Sequence, residues 1–211
     1  MDARELAAAI IHDLKNQLQS VLLEGEQVLN SIPQEHHEAL QPLLSRTRRV
    51  HQDSMQLVTL YRLKERGNFS SEDAWPADTV RHALECLEVH YADLAINVDI
   101  DPVCQGYYNA FLMQMALTNV MTNSAQAGAS EIRIRAHEEG TGLIIQIEDN
   151  GPGFSEGYLR GDVDSEKVGG TGLGLYFTDL IIKHHSSTSH PAEMRLENLA
   201  SGGACVTLML P

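Results

Sequence analysis

Basic residues are scarce in this chain. Lysine and arginine number 15 against 29 aspartates and glutamates, a formal net charge of −14 over 211 residues. That balance argues against a protein whose main task is gripping nucleic acid or an anionic membrane surface. Long apolar runs are missing too: none reaches the length of a membrane span, and Met1-Asp2-Ala3-Arg4-Glu5 is no signal-peptide start. Cysteine is limited to Cys86, Cys104 and Cys205, with no Cys-x-x-Cys pair. An odd, unpatterned set fits a reducing cytoplasm and argues against a disulfide framework or a cysteine zinc site. The pairs His36-His37 and His184-His185, the latter near His190, lack His-Glu-x-x-His spacing, so a metal centre is not expected there either. There is no internal repeat and no low-complexity tract. What remains is a globular composition, 43% hydrophobic, with room for one large domain or two small ones.

Glycine and proline are nearly absent from residues 2–66, the exceptions being Gly25, Pro33 and Pro42. Ile11, Leu14, Leu18, Val21, Gly25, Val28 and Ile32 step by three and four in turn. After a break at Ile32-Pro33-Gln34-Glu35 the rhythm returns in Leu40, Leu43, Thr47, Val50, Ser54, Leu57 and Tyr61. This predicts two long helices with coiled-coil seams and a tight turn between them, each roughly 45 Å long. Leu6, Ile10, Leu22 and Leu29 widen the first stripe beyond what one partner helix covers. Pairing with a second copy, as a homodimeric four-helix bundle, is therefore expected. Arg46, Arg48 and Arg49 read as a solvated helix face, with contact to an acidic partner pocket as a second use.

Residues 67–73 have loop composition, and from Trp75 the pattern becomes mixed. Helices are expected over 76–91, 107–127 and 172–184. Strands are expected over 95–100, 131–135, 143–147, 194–196 and 205–210, the second and third forming a hairpin through Gly140-Thr141-Gly142. Helices on one face of a mixed sheet make an α+β sandwich. The expected organisation is a helical hairpin at 1–66, a linker at 67–75 and a second domain at 76–211.

Three segments of the second domain carry chemistry. Asn119 and Asn123 sit four apart on a helix and share a face. Their carboxamide oxygens are hard, neutral ligands suited to a Mg²⁺ ion that keeps waters and phosphate oxygens. Asp149-Asn150-Gly151-Pro152-Gly153-Phe154 follows a strand; its carboxylate can accept the exocyclic amine of adenine, with glycines admitting the ring. Gly169-Gly170-Thr171-Gly172-Leu173-Gly174-Leu175 is a glycine-rich turn opening a helix, where backbone N–H groups can hold phosphate. It has neither a P-loop ending nor a dinucleotide-loop spacing. Taken singly each segment has an ordinary turn or surface reading; their order makes a nucleotide site. On the first helix, His12 and Asn16 lie off the Ile11–Leu14 seam and are expected to face solvent. A neutral imidazole there can attack a phosphorus, Asp13 can orient it and take its proton, and Asn16 can position a water.

Residues 75–211 resemble the GHKL ATP-binding fold of histidine kinases, gyrase, mismatch-repair ATPases and large heat-shock chaperones, down to the closing Gly202-Gly203-Ala204-Cys205-Val206-Thr207. The resemblance implies ATP and Mg²⁺, with the metal on Asn123 and Asn119 beside it. It implies adenine read by Asp149, a pocket shaped by Gly151 and Gly153, and phosphates near Thr171, Gly172 and Gly174 under a lid at 155–168. The ATPase branches place a glutamate where Asn119 stands. An amide is no useful base, so an attacking group other than water is expected. His12-Asp13-Leu14-Lys15-Asn16-Gln17-Leu18 resembles the phosphoacceptor box of sensor histidine kinases, in which the acidic neighbour (here Asp13) assists transfer and the residue one turn on (here Asn16) assists dephosphorylation of the partner. The sequence departs from the family pattern at Gln17, where many kinases have proline, at Gln126, where a basic residue often reaches phosphate, so that this contact is either missing or supplied by Lys167, and at His184-His185-Ser186-Ser187.

The whole reads as a cytoplasmic histidine kinase of two-component signalling. It would autophosphorylate His12 and pass the phosphoryl group to an aspartate on a response-regulator receiver, whose dephosphorylation the same surface can also serve. With only eleven residues before His12, the signal is expected from a separate sensor protein, from a small ligand, or not at all. A phosphotransfer adaptor with a vestigial ATP site is the alternative, and a serine/threonine kinase of the anti-sigma type ranks last.

Overall fold

A computed structural model describes residues 3–66, 69–88, 91, 93–160, 173–188 and 190–211. The chain divides into two compact units, Met1–Asn68 and Phe69–Pro211.

The first unit is a hairpin of α1 (Ala3–Ser31) and α2 (His37–Arg66), joined by a 3-10 turn at Gln34–His36. Pro33 ends α1 because its ring disfavours helical backbone in the residue before it. His37 closes the turn, its Nε2 3.2 Å from the carbonyl of Ile32. Pro42 lies inside α2 and removes one backbone donor. The helices approach closely at Gly25, where any β-carbon would overlap the side chain of Leu44, itself 2% exposed. Arg48 is not simply solvated: its guanidinium donates to Glu26 on α1 at 3.1 Å.

The seam divides in two. Leu18, Leu22, Gly25 and Leu29 of α1 and Ile32 just after it, with Leu40, Leu44, Thr47 and Ser54 of α2, are buried or half-buried. Leu14, Val21 and Val28, with Leu43, Val50 and Leu57, are each between 40% and 60% exposed. Each set of three repeats every seven residues. With Gly25 set against Leu44, the two sets run at matching levels, 28 with 43, 21 with 50 and 14 with 57. One half of the expected seam therefore closes the hairpin, and the other half forms an open aliphatic stripe.

The second unit holds a five-stranded sheet in the order β2 (Ala95–Ile100), β4 (Glu131–Glu139), β5 (Gly142–Asp149), β7 (Ala204–Leu210), β6 (Glu193–Asn198). β2 and β4 are parallel and the other pairs antiparallel. Alternation on the strands sends Ile132, Ile134, Ile145, Ile147 and Leu208 into the core. There they meet Val80, Ala83 and Leu87 of α3 (Pro76–Glu88), Leu112, Ala116 and Val120 of α4 (Ala110–Gln126), and Phe177 and Ile181 of α6 (Leu173–His184). This is the expected α+β architecture. Cys104 and Cys205 are buried free thiols whose pKa burial raises.

Two local expectations are corrected. Residues 72–74 form β1 and 106–108 form β3, a small antiparallel pair outside the main sheet. Tyr107 and Tyr108 therefore belong to a strand, and the helix expected from 107 starts at Ala110. Asn109 sets that start: its side chain accepts from the N–H of Leu112 and caps the helix. Tyr108, wholly buried, shares a 2.9 Å hydrogen bond with Thr79, and burial pushes its phenol up to about 12. Two adjacent tyrosines fit either element by propensity; burial of one and capping by Asn109 decide for the strand.

Candidate nucleotide site

Asp149 is the last residue of β5, where the strand delivers its carboxylate to the end of α4. Ser124 Oγ donates to Asp149 Oδ2 at 2.6 Å, while the backbone N–H groups of Gly151 and Ala204 donate to Oδ1 at 2.9 and 3.2 Å. A carboxylate offers about four acceptor positions. The three donors hold it in one orientation and leave capacity for about one more, which suits an exocyclic amine.

The loop after Asp149 is fastened at both sides. Asn150 accepts from the N–H groups of Ser130 and Glu131 at 2.9 and 3.0 Å. Asn198, at the end of β6, accepts from the N–H of Phe154 at 2.7 Å and donates to its carbonyl at 2.8 Å. Gly203 has φ +97°, and a β-carbon there would overlap the carbonyl of Asp149. Only glycine meets both demands. Gly151 and Gly153 lie in this loop, the latter at φ +76° against Asn198. Phe154 and Tyr158 stack at 5.8 Å between ring centroids. Tyr158 lies on α5 (Glu156–Leu159), which Ser155 caps, and burial raises its pKa. These residues begin the expected lid; 161–168 of that lid, Lys167 included, lie outside the described residues.

The other end of the site is the crossing of α4 and α6. Asn119 is 3% exposed and donates through Nδ2 to the carbonyl of Gly174 at 2.5 Å and to Thr178 Oγ1 at 2.9 Å. Asn123, one turn on, is half-buried. A β-carbon on Gly174 would come within 2.9 Å of Asn119 Oδ1 and 3.0 Å of Asn123 Nδ2, so the glycine lets α6 pack directly against both amides. Among the described residues no group of three or more His, Cys, Asp or Glu side chains could hold a metal. A cation here would bind neutral amide oxygens together with phosphate and water, and that donor set fits Mg²⁺. Thr171 and Gly172 lie outside the described residues.

The structure thus brings together Asn119, Asn123 and Gly174, and separately Asp149 with Gly151 and Gly153. Sequence reasoning missed Ser124, Thr178, Asn198 and Gly203. Two of these carried a signal. Ser124 directly follows Asn123, and Thr178 stands four after Gly174, on the same helix face. Asn198 and Gly203 reach the site only through pairing of β6 with β7. In the helical hairpin, Asp13 and Asn16 are exposed on α1, while the side chain of His12 lies outside the described residues. A concavity of about 470 Å³ on the sheet's outward surface, lined by His137, Gln146 and Arg195 among others, shares no residue with the candidate site.

His185 has a defined structural role in the second unit. Its Nδ1 faces the carbonyl of Ile181 at 2.8 Å and its Nε2 accepts from the N–H of Asn109 at 3.0 Å. Burial lowers its pKa, with His184 adding to the effect and the Ile181 carbonyl opposing it.

Residues 109–211 match the family model of the histidine kinase-, DNA gyrase B- and HSP90-like ATPases. The sensor protein KdpD of Escherichia coli is 30% identical over 226 aligned positions, which cover 98% of this chain and 24% of KdpD. Sporulation kinase B of Bacillus subtilis is 26% identical, with 98% of this chain and 49% of the relative covered. The crystal structure of the ATP-binding domain of PrrB from Mycobacterium tuberculosis is 25% identical, with a TM-score of 0.55 over 67% of this chain and 96% of that one. The chain spans between about a quarter and a half of the length of these curated relatives. No helix among the described residues is long and apolar enough to cross a membrane.

Proposed function

From its likeness to the catalytic core of sensor histidine kinases, we propose that this chain is an ATP-dependent protein histidine kinase acting as a homodimer. The observation that carries the reading is the two-ended site. A carboxylate with room for one more donor stands at one end, and the amide pair Asn119 and Asn123, packed against Gly174 of α6, stands at the other.

Asp149 receives the exocyclic amine of adenine, and Gly151 and Gly153 admit the ring. Asn123, with Asn119 beside it, would hold Mg²⁺. The ion would neutralise phosphate charge and hold the terminal phosphate in line. Thr171, Gly172 and Gly174 would serve the phosphates, for which backbone N–H groups of the first turn of α6 offer donors.

His12 supplies the nucleophile. The lone pair of one imidazole nitrogen forms a bond to the γ-phosphorus, the bond from phosphorus to the bridging oxygen breaks, and ADP leaves with that electron pair. Asp13 accepts the proton lost from the other ring nitrogen. The phosphoryl group then passes to a carboxylate oxygen of a response-regulator aspartate, and the imidazole is restored. Asn16, exposed and one helical turn after His12, orients a water for hydrolysis of the regulator's acyl phosphate. The open stripe of Leu14, Val21, Val28, Leu43, Val50 and Leu57 supports pairing of two hairpins into a four-helix bundle.

Incubation with γ-labelled ATP and Mg²⁺ is expected to give a phosphoenzyme that acid hydrolyses and base leaves intact. His12→Ala abolishes the label. Label that persists in this variant, or that withstands acid, refutes the assignment.

A further inference from the structure

The open stripe on the helical hairpin has charged borders. On α1, Glu24 stands three residues after Val21 and four before Val28. On α2, Arg46 stands three after Leu43 and four before Val50. That spacing puts each beside its stripe row, on the side away from the hairpin's own seam. Because Val28 is level with Leu43 and Val21 with Val50, Glu24 and Arg46 share a level to within about 1.5 Å, one residue's rise. Both side chains are exposed. Glu24 accepts from Ser20 on its own helix at 3.1 Å. Among the described residues neither Glu24 nor Arg46 forms an ion pair within the chain. The hairpin's own cross-helix pair, Arg48 with Glu26 at 3.1 Å, lies on the opposite border of the seam.

Two hairpins whose stripes face each other can pair about a two-fold axis in two ways. With the axis along the helices, α1 of one protomer lies on α2 of its partner and levels are kept. Glu24 then meets the partner's Arg46, and Arg46 meets the partner's Glu24. Further along the same border Gln17 meets Asp53 and Ser31 meets Ala39, so none of these levels sets like charges together. With the axis across the helices, α1 lies on α1 and the levels reverse about Val21 and Val50. Arg46 then faces Asp53, and Glu24 faces Gln17 and has no cation. The aliphatic stripe itself does not choose, because rungs repeated every seven residues match in either direction. Charges bordering such a stripe set partner and orientation more than they add stability.

We propose that Glu24 and Arg46 form two reciprocal ion pairs across the homodimer, and that these pairs set how the two hairpins are matched. The proposal rests on reading the open stripe as a dimer face.

The test reverses the charges in the full chain and follows the dimer dissociation constant by sedimentation over a dilution series. Glu24→Arg sets cation against cation twice per dimer, and Arg46→Glu sets anion against anion twice. Each alone is expected to weaken the dimer about tenfold at low salt, through two lost attractions and two new repulsions. An equimolar mixture of the two variants restores wild-type affinity, because one chain then carries both cations and the other both anions. The double variant Glu24→Arg with Arg46→Glu restores it as a homodimer. Added salt shrinks each difference. Rescue by the double variant but not by the mixture means a pair inside one hairpin and overturns the proposal, as do single variants that dimerise like wild type. Weakening by Arg46→Glu alone assigns the contact to Asp53 and overturns it too. A wild-type chain that stays monomeric removes the dimer face itself.

Discussion

Asp149 and His185 show two ways in which this chain fixes a polar side chain. Asp149 is oriented by three donors from three parts of the fold and keeps capacity for a ligand. His185 has both ring nitrogens engaged, one against Ile181 O and one receiving Asn109 N–H, the backbone amide of the residue that caps α4. Protonation at Nε2 would destroy the second bond. Because burial lowers the His185 pKa, the folded chain binds this proton less readily than the unfolded chain does. Its stabilising contribution is therefore complete above the unfolded value, about 6.5. It is lost as pH falls from there toward the lower folded value, with a slope of at most about 1.4 kcal/mol per pH unit. Urea unfolding at pH 7.5, 6.5 and 5.5 is expected to show this acid limb. His185→Gln should flatten it and cost about 1 kcal/mol at pH 7.5. An equally steep limb in the variant would assign the effect to other groups.

At the level of elements, close approach is the recurring device. Gly25 lets Leu44 of α2 seat against α1, at the cost of about 1 kcal/mol in helix propensity relative to alanine. Gly174 does the same for α6 against the two asparagines of α4. Gly25→Val should destabilise the hairpin by about 1–3 kcal/mol through overpacking, despite removing a helix-weakening residue. Combining it with Leu44→Ala should recover part of the loss, because the space the valine needs is then empty. Urea melts followed by far-UV circular dichroism read both effects. A more stable Gly25→Val would mean that the helices have room to spread. The turn from strand to helix at 106–110 makes the complementary point. Local propensity left Tyr107 and Tyr108 open to either element, and pairing with β1 and capping by Asn109 settled it.

For the whole molecule, the open stripe on the hairpin sets the expectation. Six aliphatic side chains in two heptad rows are far more exposed than an isolated hairpin favours. Val21→Glu with Val50→Glu should leave the hairpin helical and convert a dimer to a monomer in analytical ultracentrifugation. A wild-type chain that sediments as a monomer, or a variant that stays dimeric, would remove the bundle from the account. Much of this was legible in the residues. Helix periodicity, strand alternation and the order of the asparagine, aspartate and glycine segments depend on near neighbours along the chain. Those neighbours fixed the α+β architecture of the second unit and nominated Asn119, Asn123, Asp149 and Gly174. Tertiary structure alone could choose which half of the heptad seam closes the hairpin, because alternate apolar positions are equivalent until a partner helix takes one set. It alone could bring Asn198 and Gly203 to the loop after Asp149, since that depends on β6 pairing with β7. It alone could turn the Asn119 amide, because the acceptors that orient it lie 55 and 59 residues further along the chain.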